Sequence, residues 1–123
     1  AVGYCMSGQY IVSITSIYNN KFSAAASFYG VKIMTDNEDS PHLGAEKIKA
    51  NLYLAFAEKD SWVDDEALKN IQEHFKKNTP NFRMEIYEGT EHGFAFPDRH
   101  TYHKKGAEMH WSRIHDLFQK HLK

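Results

Sequence analysis

Three residues in this 123-residue sequence have types and settings suited to acyl-transfer chemistry: Cys5, Asp60 and His92. Cys5 is the sole cysteine and sits in Gly3-Tyr4-Cys5-Met6-Ser7-Gly8, where small residues flank the thiol on both sides. A sharp strand-to-helix turn that presents a nucleophile needs such a pattern, because strand and helix must approach closely while the central residue takes a strained backbone. A thiol placed there needs a base within hydrogen-bond reach. The base in turn needs a carboxylate to fix its tautomer and support its charge. The order nucleophile, carboxylate, histidine along the chain fits that arrangement. The start of the helix after Cys5 adds a positive dipole end and the Met6 N–H, and both favour a thiolate and a developing oxyanion.

The elements that must position these residues follow from hydrophobic periodicity. Ala1 to Tyr4 reads as the end of a buried strand, and Ser7 to Tyr18 as a helix with Tyr10, Ile14, Ile17 and Tyr18 at helical spacing. Ala24 to Tyr29 is a short apolar run closed by Gly30, and Asn51 to Ala57 is the clearest strand. Between them, Thr35 to Gly44 is irregular and polar, with a short helical turn predicted over Ala45 to Lys49. Val63 to Lys77 is an amphipathic helix with Asp64 or Asp65 as N-cap and Ala67, Leu68, Ile71 and Phe75 inward. Phe82 to Tyr87 alternates as a half-buried strand with Phe82, Met84 and Ile86 inward, and Glu88 to Gly93 is its exit loop. A long helix from about Thr101 to Leu122 turns Ala107, Trp111, Ile114, Phe118 and Leu122 inward. Strands alternating with helices predict an α/β fold with a parallel sheet. Cys5, Asp60 and His92 then each follow the carboxyl end of a strand, where open α/β sheets build their sites.

The totals exclude several classes. A net charge of −1 and scattered Lys and Arg remove the electrostatic footprint of nucleic-acid binding. One cysteine makes no internal disulfide and no Cys/His pair has structural-zinc spacing, so no metal is expected and a reducing compartment, the cytoplasm, fits best. No apolar run is long enough to cross a membrane, and a water-soluble single domain over 1–123 is the expectation. His100, His103 and His110 could share a helix face, but nothing completes a ligand set with them.

On the stretches GYCMSG, AEKDSWV, HGFAFPDR and AEMHWSRIHDLF the sequence resembles the dienelactone hydrolase family of the α/β-hydrolase fold, along nearly all 123 residues. The resemblance implies Cys5 as nucleophile, Asp60 as carboxylate, His92 as general base and the Met6 N–H as oxyanion donor. It implies hydrolysis of a small-molecule ester or lactone through an acyl-enzyme, with no metal or organic cofactor. Phe94, Phe96 and Arg99 fall where the family binds substrate. Dienelactone-specific members are expected to carry an arginine soon after the histidine; here Phe96 and Pro97 stand there and Arg99 is displaced, so an apolar acyl pocket is equally compatible.

In the family the nucleophile turn follows a central strand with about half of the domain before it, whereas here it opens the chain. The expectation is therefore the C-terminal half of an α/β-hydrolase domain, about four mostly parallel strands flanked by helices, with the N-terminal strands absent. The absent part would supply the second oxyanion N–H, whose loss costs about 10²–10³ in rate. The open sheet edge at Ala1 to Tyr4 predicts a homodimer or association with a separate N-terminal piece. Rival readings are a catalytically silent, oligomerising half-domain and a thiol or metal site on Cys5 and the surplus histidines. At single positions, Cys5 could be a buried structural thiol and Asp60 a helix cap, with Asp64, Asp65 or Asp98 in its place.

Overall fold

A computed structural model describes all 123 residues. Four strands, β1 (Val2–Tyr4), β2 (Ala24–Phe28), β3 (Asn51–Lys59) and β4 (Phe82–Glu91), form one sheet in the order β1-β2-β3-β4, every pair parallel. Helix α1 (Ser7–Ile17) connects β1 to β2, a 3₁₀ segment (Pro41–Lys47) precedes β3, and α2 (Asp65–Asn78) connects β3 to β4. Helix α3 (Lys104–His121) ends the fold.

The inner strands are apolar on both sides because both faces are covered, as parallel sheets require. Leu52, Leu54 and Phe56 of β3 meet Ile11 and Val12 of α1 and Leu68, Ile71 and Phe75 of α2 on one face. Tyr53, Ala55 and Ala57 meet Phe28, Tyr87, Phe94 and Ile114 on the other, beneath α3. Asp64 is the N-cap of α2: its Oδ1 accepts the Ala67 N–H at 2.8 Å. Asp65 is the first helical residue, which settles that ambiguity.

Several expectations need correction. On α1 the buried face is Ile11, Val12 and Thr15, while Tyr10, Ile17 and Tyr18 face solvent. The β-branched residues are the ones that pack on the sheet, and Thr15 does so because its hydroxyl is returned to the Ile11 carbonyl at 2.8 Å. On α3, Trp111 and Leu122 are exposed and His110 takes the inward place. Ile86 is exposed because β4 is an edge strand. The 3₁₀ segment occupies part of the stretch predicted to be irregular. β4 runs on to Glu91 through the predicted loop: Ala57 pairs with Tyr87 but Lys59 with Glu91, so β4 carries two extra residues and a bulge at Gly89, whose φ is +75°. That bulge sets where β4 ends, one residue before His92.

Candidate active site

The chain enters the site through Cys5, whose φ of +54° lies in the left-handed region that L-residues avoid. Three bonds hold the strained turn: the Cys5 N–H donates to the Phe28 carbonyl, and the Cys5 carbonyl accepts from the Gly8 and Val31 N–H groups, each at 3.1 Å. The small residues on either side are steric necessities. A Cβ on Gly3 would lie 2.5 Å from Cγ1 of Ile11, and one on Gly8 would lie 2.5 Å from Cα of Gly30. The turn is therefore tight because β1, α1 and the exit of β2 touch backbone to backbone.

His92 follows β4, and its Nε2 stands 3.0 Å from Cys5 Sγ. Its Nδ1 stands 2.7 Å from Asp60 Oδ2, directly beyond β3. The other Asp60 oxygen, Oδ1, accepts the Trp62 N–H at 2.9 Å, so both carboxylate oxygens are engaged. The Asp60 side chain is 1% exposed and that of His92 19% exposed. The hydrogen bond donated to Asp60, and more weakly the one shared with Cys5, raises the His92 pKa above its ordinary value despite opposing burial. An acceptor carboxylate at Nδ1 assigns the proton to that nitrogen and leaves Nε2 free to take one from the thiol. Sequence-distant residues at positions 5, 60 and 92 thus form one hydrogen-bonded line, with the thiol partly exposed at its end.

A sequence profile of the Dienelactone hydrolase family matches residues 1–122. The chain belongs to the dienelactone hydrolase family. A curated relative from Synechocystis sp. named "Putative carboxymethylenebutenolidase" is 29% identical over 125 residues, covering 99% of this chain and 50% of the relative. The chain spans about half the length of the curated relatives it matches. Among solved structures, a Klebsiella pneumoniae protein titled "Putative Dienelactone Hydrolase" superposes with a TM-score of 0.87 at 20% identity, over 98% of this chain and 51% of that one. A metagenomic dienelactone hydrolase-like promiscuous phosphotriesterase superposes with a TM-score of 0.78 at 18% identity, over 98% and 51%. The fold is that of the α/β hydrolases.

The other residues singled out from the sequence separate. Met6 is the N-cap of α1 and its N–H makes no hydrogen bond, while its side chain is exposed. Phe96 is partly buried and meets Tyr4 edge-on at 4.9 Å. Arg99 is exposed. Phe94, expected at the substrate, is fully buried between Tyr29 at 5.2 Å and Tyr87 at 5.3 Å, so it supports the site from the core. His103 caps α3 by accepting the Gly106 N–H at 2.9 Å, His110 is buried further along the helix and His100 lies exposed before it, so the three do not form a ligand cluster.

Two residues of the site escaped sequence reasoning. Tyr29, with a left-handed φ of +40°, packs 5.1 Å from the His92 ring. Burial first, then the neighbouring Tyr4, pushes its hydroxyl pKa up, and it stays neutral. Trp62 contributes the backbone N–H that orients Asp60. A tyrosine in a left-handed turn carries no sequence signal, whereas Trp62 lay within the matched AEKDSWV stretch.

Proposed function

We propose that this chain carries the nucleophile, base and carboxylate of a carboxylic ester or lactone hydrolase. The observation that supports it most is the unbroken line from Cys5 Sγ through both ring nitrogens of His92 to Asp60. In this reading the Cys5 thiol passes its proton to His92 Nε2 and the thiolate attacks the substrate carbonyl carbon. The carbonyl electron pair moves to oxygen, opposite the free Met6 N–H and the start of α1, where backbone donors stabilise an oxyanion. As the tetrahedral intermediate collapses, the ester C–O bond breaks, the leaving alkoxide takes the proton from His92, and a thioester to Cys5 remains. For a lactone that alkoxide stays tethered to the acyl chain. His92 then removes a proton from water, the hydroxide attacks the thioester, and the acid leaves as the Cys5 thiolate is restored and reprotonated. Asp60 keeps the imidazole oriented and offsets the charge it gains.

The relatives' names favour a small lactone or ester as substrate. Phe96 beside Tyr4 offers apolar surface for the acyl part, and Arg99 a cation at the rim. No metal or organic cofactor enters any step. An unpaired thiol nucleophile suits a reducing compartment, hence a cytoplasmic setting, and no helix is long and apolar enough to cross a membrane. The unpaired edge of β1 is the surface for association, with a second copy or with further strands that bring another oxyanion donor.

The decisive experiment is hydrolysis of p-nitrophenyl acetate by the chain beside Cys5→Ala, on protein whose oligomeric state is fixed by light scattering. Turnover that disappears with Cys5→Ala supports the hydrolase. Equal rates would leave a silent half-domain.

A further inference from the structure

Of the eight histidines, His110 alone is fully buried, and no step above uses it. It lies on α3 with Nδ1 3.0 Å from the Ala107 carbonyl and Nε2 2.5 Å from the Tyr4 hydroxyl. A carbonyl oxygen only accepts, so the Nδ1 proton is donated to it. Nε2 is then bare and accepts the Tyr4 O–H. Burial holds the imidazole pKa below its ordinary value and pushes the Tyr4 hydroxyl up to about 12, so both groups keep these roles near neutrality. Aromatic rings surround the pair: Phe28 lies 4.5 Å from the His110 ring, Trp111 4.5 Å and Phe96 6.3 Å, and Tyr29 lies 5.9 Å from the Tyr4 ring.

Tyr4 is the residue before Cys5. A left-handed residue persists only where its surroundings over-determine it. On the helix side, the Gly8 and Val31 N–H groups fix the Cys5 carbonyl. On the strand side, the three residues of β1 pair with β2 and the Cys5 N–H donates to the Phe28 carbonyl. Stacking of Tyr4 on Phe28 at 5.6 Å gives contact without direction. The hydrogen bond to His110 gives direction, and a satisfied polar pair in an apolar site selects one geometry where two apolar side chains would accept several.

We propose that His110 is a positioning residue for Cys5: by accepting the Tyr4 hydroxyl it clamps the entry of the nucleophile turn to α3 and so keeps Sγ in reach of His92. The effect on turnover rests on the hydrolase reading; the effect on the thiol does not, and it is measurable without substrate.

The test is the rate of Cys5 alkylation by iodoacetamide as a function of pH, in the full chain and in Tyr4→Phe, His110→Phe, His110→Gln and the Tyr4→Phe/His110→Phe double variant, with His92→Ala as the reference for a thiol without its base. Each Phe variant is expected to slow alkylation near neutral pH by about 5- to 50-fold, the range a small misplacement produces. The double variant is expected to lose no more than either single one, since both break the same bond. His110→Gln, whose amide oxygen can accept the Tyr4 O–H, recovers most of the rate. The pH profile of the Phe variants moves toward that of His92→Ala, which loss of stability alone would not cause. Unchanged rates and profile in Tyr4→Phe, or additive losses in the double variant, overturn the proposal. Tyr4→Phe keeps the ring and its packing, so it decides the matter even if His110→Phe does not fold. If the parent chain shows no Cys5-dependent ester turnover, the hydrolase reading fails while the alkylation series still judges the clamp. If it does turn over, kcat is expected to fall in Tyr4→Phe with KM unchanged.

Discussion

Asp60 and His92, 32 positions apart in sequence, meet at 2.7 Å with the acid almost wholly hidden from solvent. The contact exists because β3 and β4 are parallel neighbours, so their carboxyl ends lie side by side, and because the β4 bulge absorbs two extra residues before His92. Parallel strands deliver loop residues to one end of the sheet, and the site follows from that geometry.

The hydrogen bond that the His92 ring donates to Asp60 holds the His92 pKa up, ahead of the opposing effect of burial, and the Asp60 charge adds to it. Asp60→Asn keeps the shape and removes the charge, so the imidazole is expected to titrate at lower pH, read from its ring-proton NMR shift. A folded pKa raised above the unfolded value contributes stability in full below the unfolded pKa of about 6.5 and loses it as pH rises through the folded value. The stability difference between parent and Asp60→Asn is therefore expected to be largest near pH 6 on this count and to shrink toward alkaline pH. Ester turnover should fall on the order of 10⁴-fold, the scale seen when a triad carboxylate is neutralised. An unchanged His92 titration would contradict the pairing.

Gly8 has no room for a methyl group, since a Cβ there lies 2.5 Å from the Gly30 Cα and 2.7 Å from Ser27 Oγ. The obstacle on one side is backbone, which cannot swing away. Gly8→Ala is expected to destabilise the chain by about 1–3 kcal/mol, as overpacking does. Urea unfolding should show a lower midpoint at an unchanged slope. Cys5 alkylation should slow as well, because α1 and the turn shift together.

The fold was legible where burial on both faces left continuous apolar runs, as at Ala24 to Phe28 and Asn51 to Ala57. The candidate site was legible because Cys5 and Asp60 follow such runs and His92 a half-buried alternating strand, and Gly3 and Gly8 mark the crowded turn. Periodicity failed where side-chain identity misled it. Trp111 is 49% exposed and His110 0%, because a histidine with both nitrogens satisfied costs little to bury while the tryptophan lies at the margin of α3. Tyr10 and Ile17 are apolar and exposed for a different reason: α1 packs through its β-branched face. The β4 bulge and the left-handed Tyr29 depend on long-range packing and leave no local pattern.

Glu85 joins β4 to α3. Its oxygens accept from Arg113 at 2.7 and 3.2 Å and from the Tyr53 hydroxyl at 3.0 Å, and Arg83 lies 2.7 Å away. Burial alone would raise the Glu85 pKa, but the bonds from Arg113 and Tyr53 outweigh it and the pKa is lowered. A lowered carboxylate pKa contributes stability above the unfolded value of about 4.3 and loses it as pH falls through the folded value. Glu85→Gln is thus expected to cost about 1–3 kcal/mol at pH 7, the scale of hydrogen bonds to a charged group. The deficit should shrink as pH falls through the lowered Glu85 pKa, below which the parent carboxylate is itself protonated. A pH-independent deficit would mean that packing, not charge, ties α3 to the sheet here.

Asp60 and Asp64 competed for one role in the sequence, and the structure gives them different partners. Asp60 faces His92, while Asp64 Oδ1 caps α2 through the Ala67 N–H at 2.8 Å. Asp64→Ala leaves that donor to water and is expected to cost about 1 kcal/mol of stability, the usual value of an N-cap. Because α2 docks its Leu68, Ile71 and Phe75 against the sheet independently of the cap, the helix should remain in place. Cys5 alkylation and the His92 titration are accordingly expected to match the parent in Asp64→Ala and to change in Asp60→Asn, with thermal unfolding measured beside each. If Asp64→Ala instead moved the His92 titration as far as Asp60→Asn does, the carboxylate that governs the imidazole would have been misassigned. A loss confined to stability would fix Asp64 as the helix cap and leave Asp60 as the partner of His92.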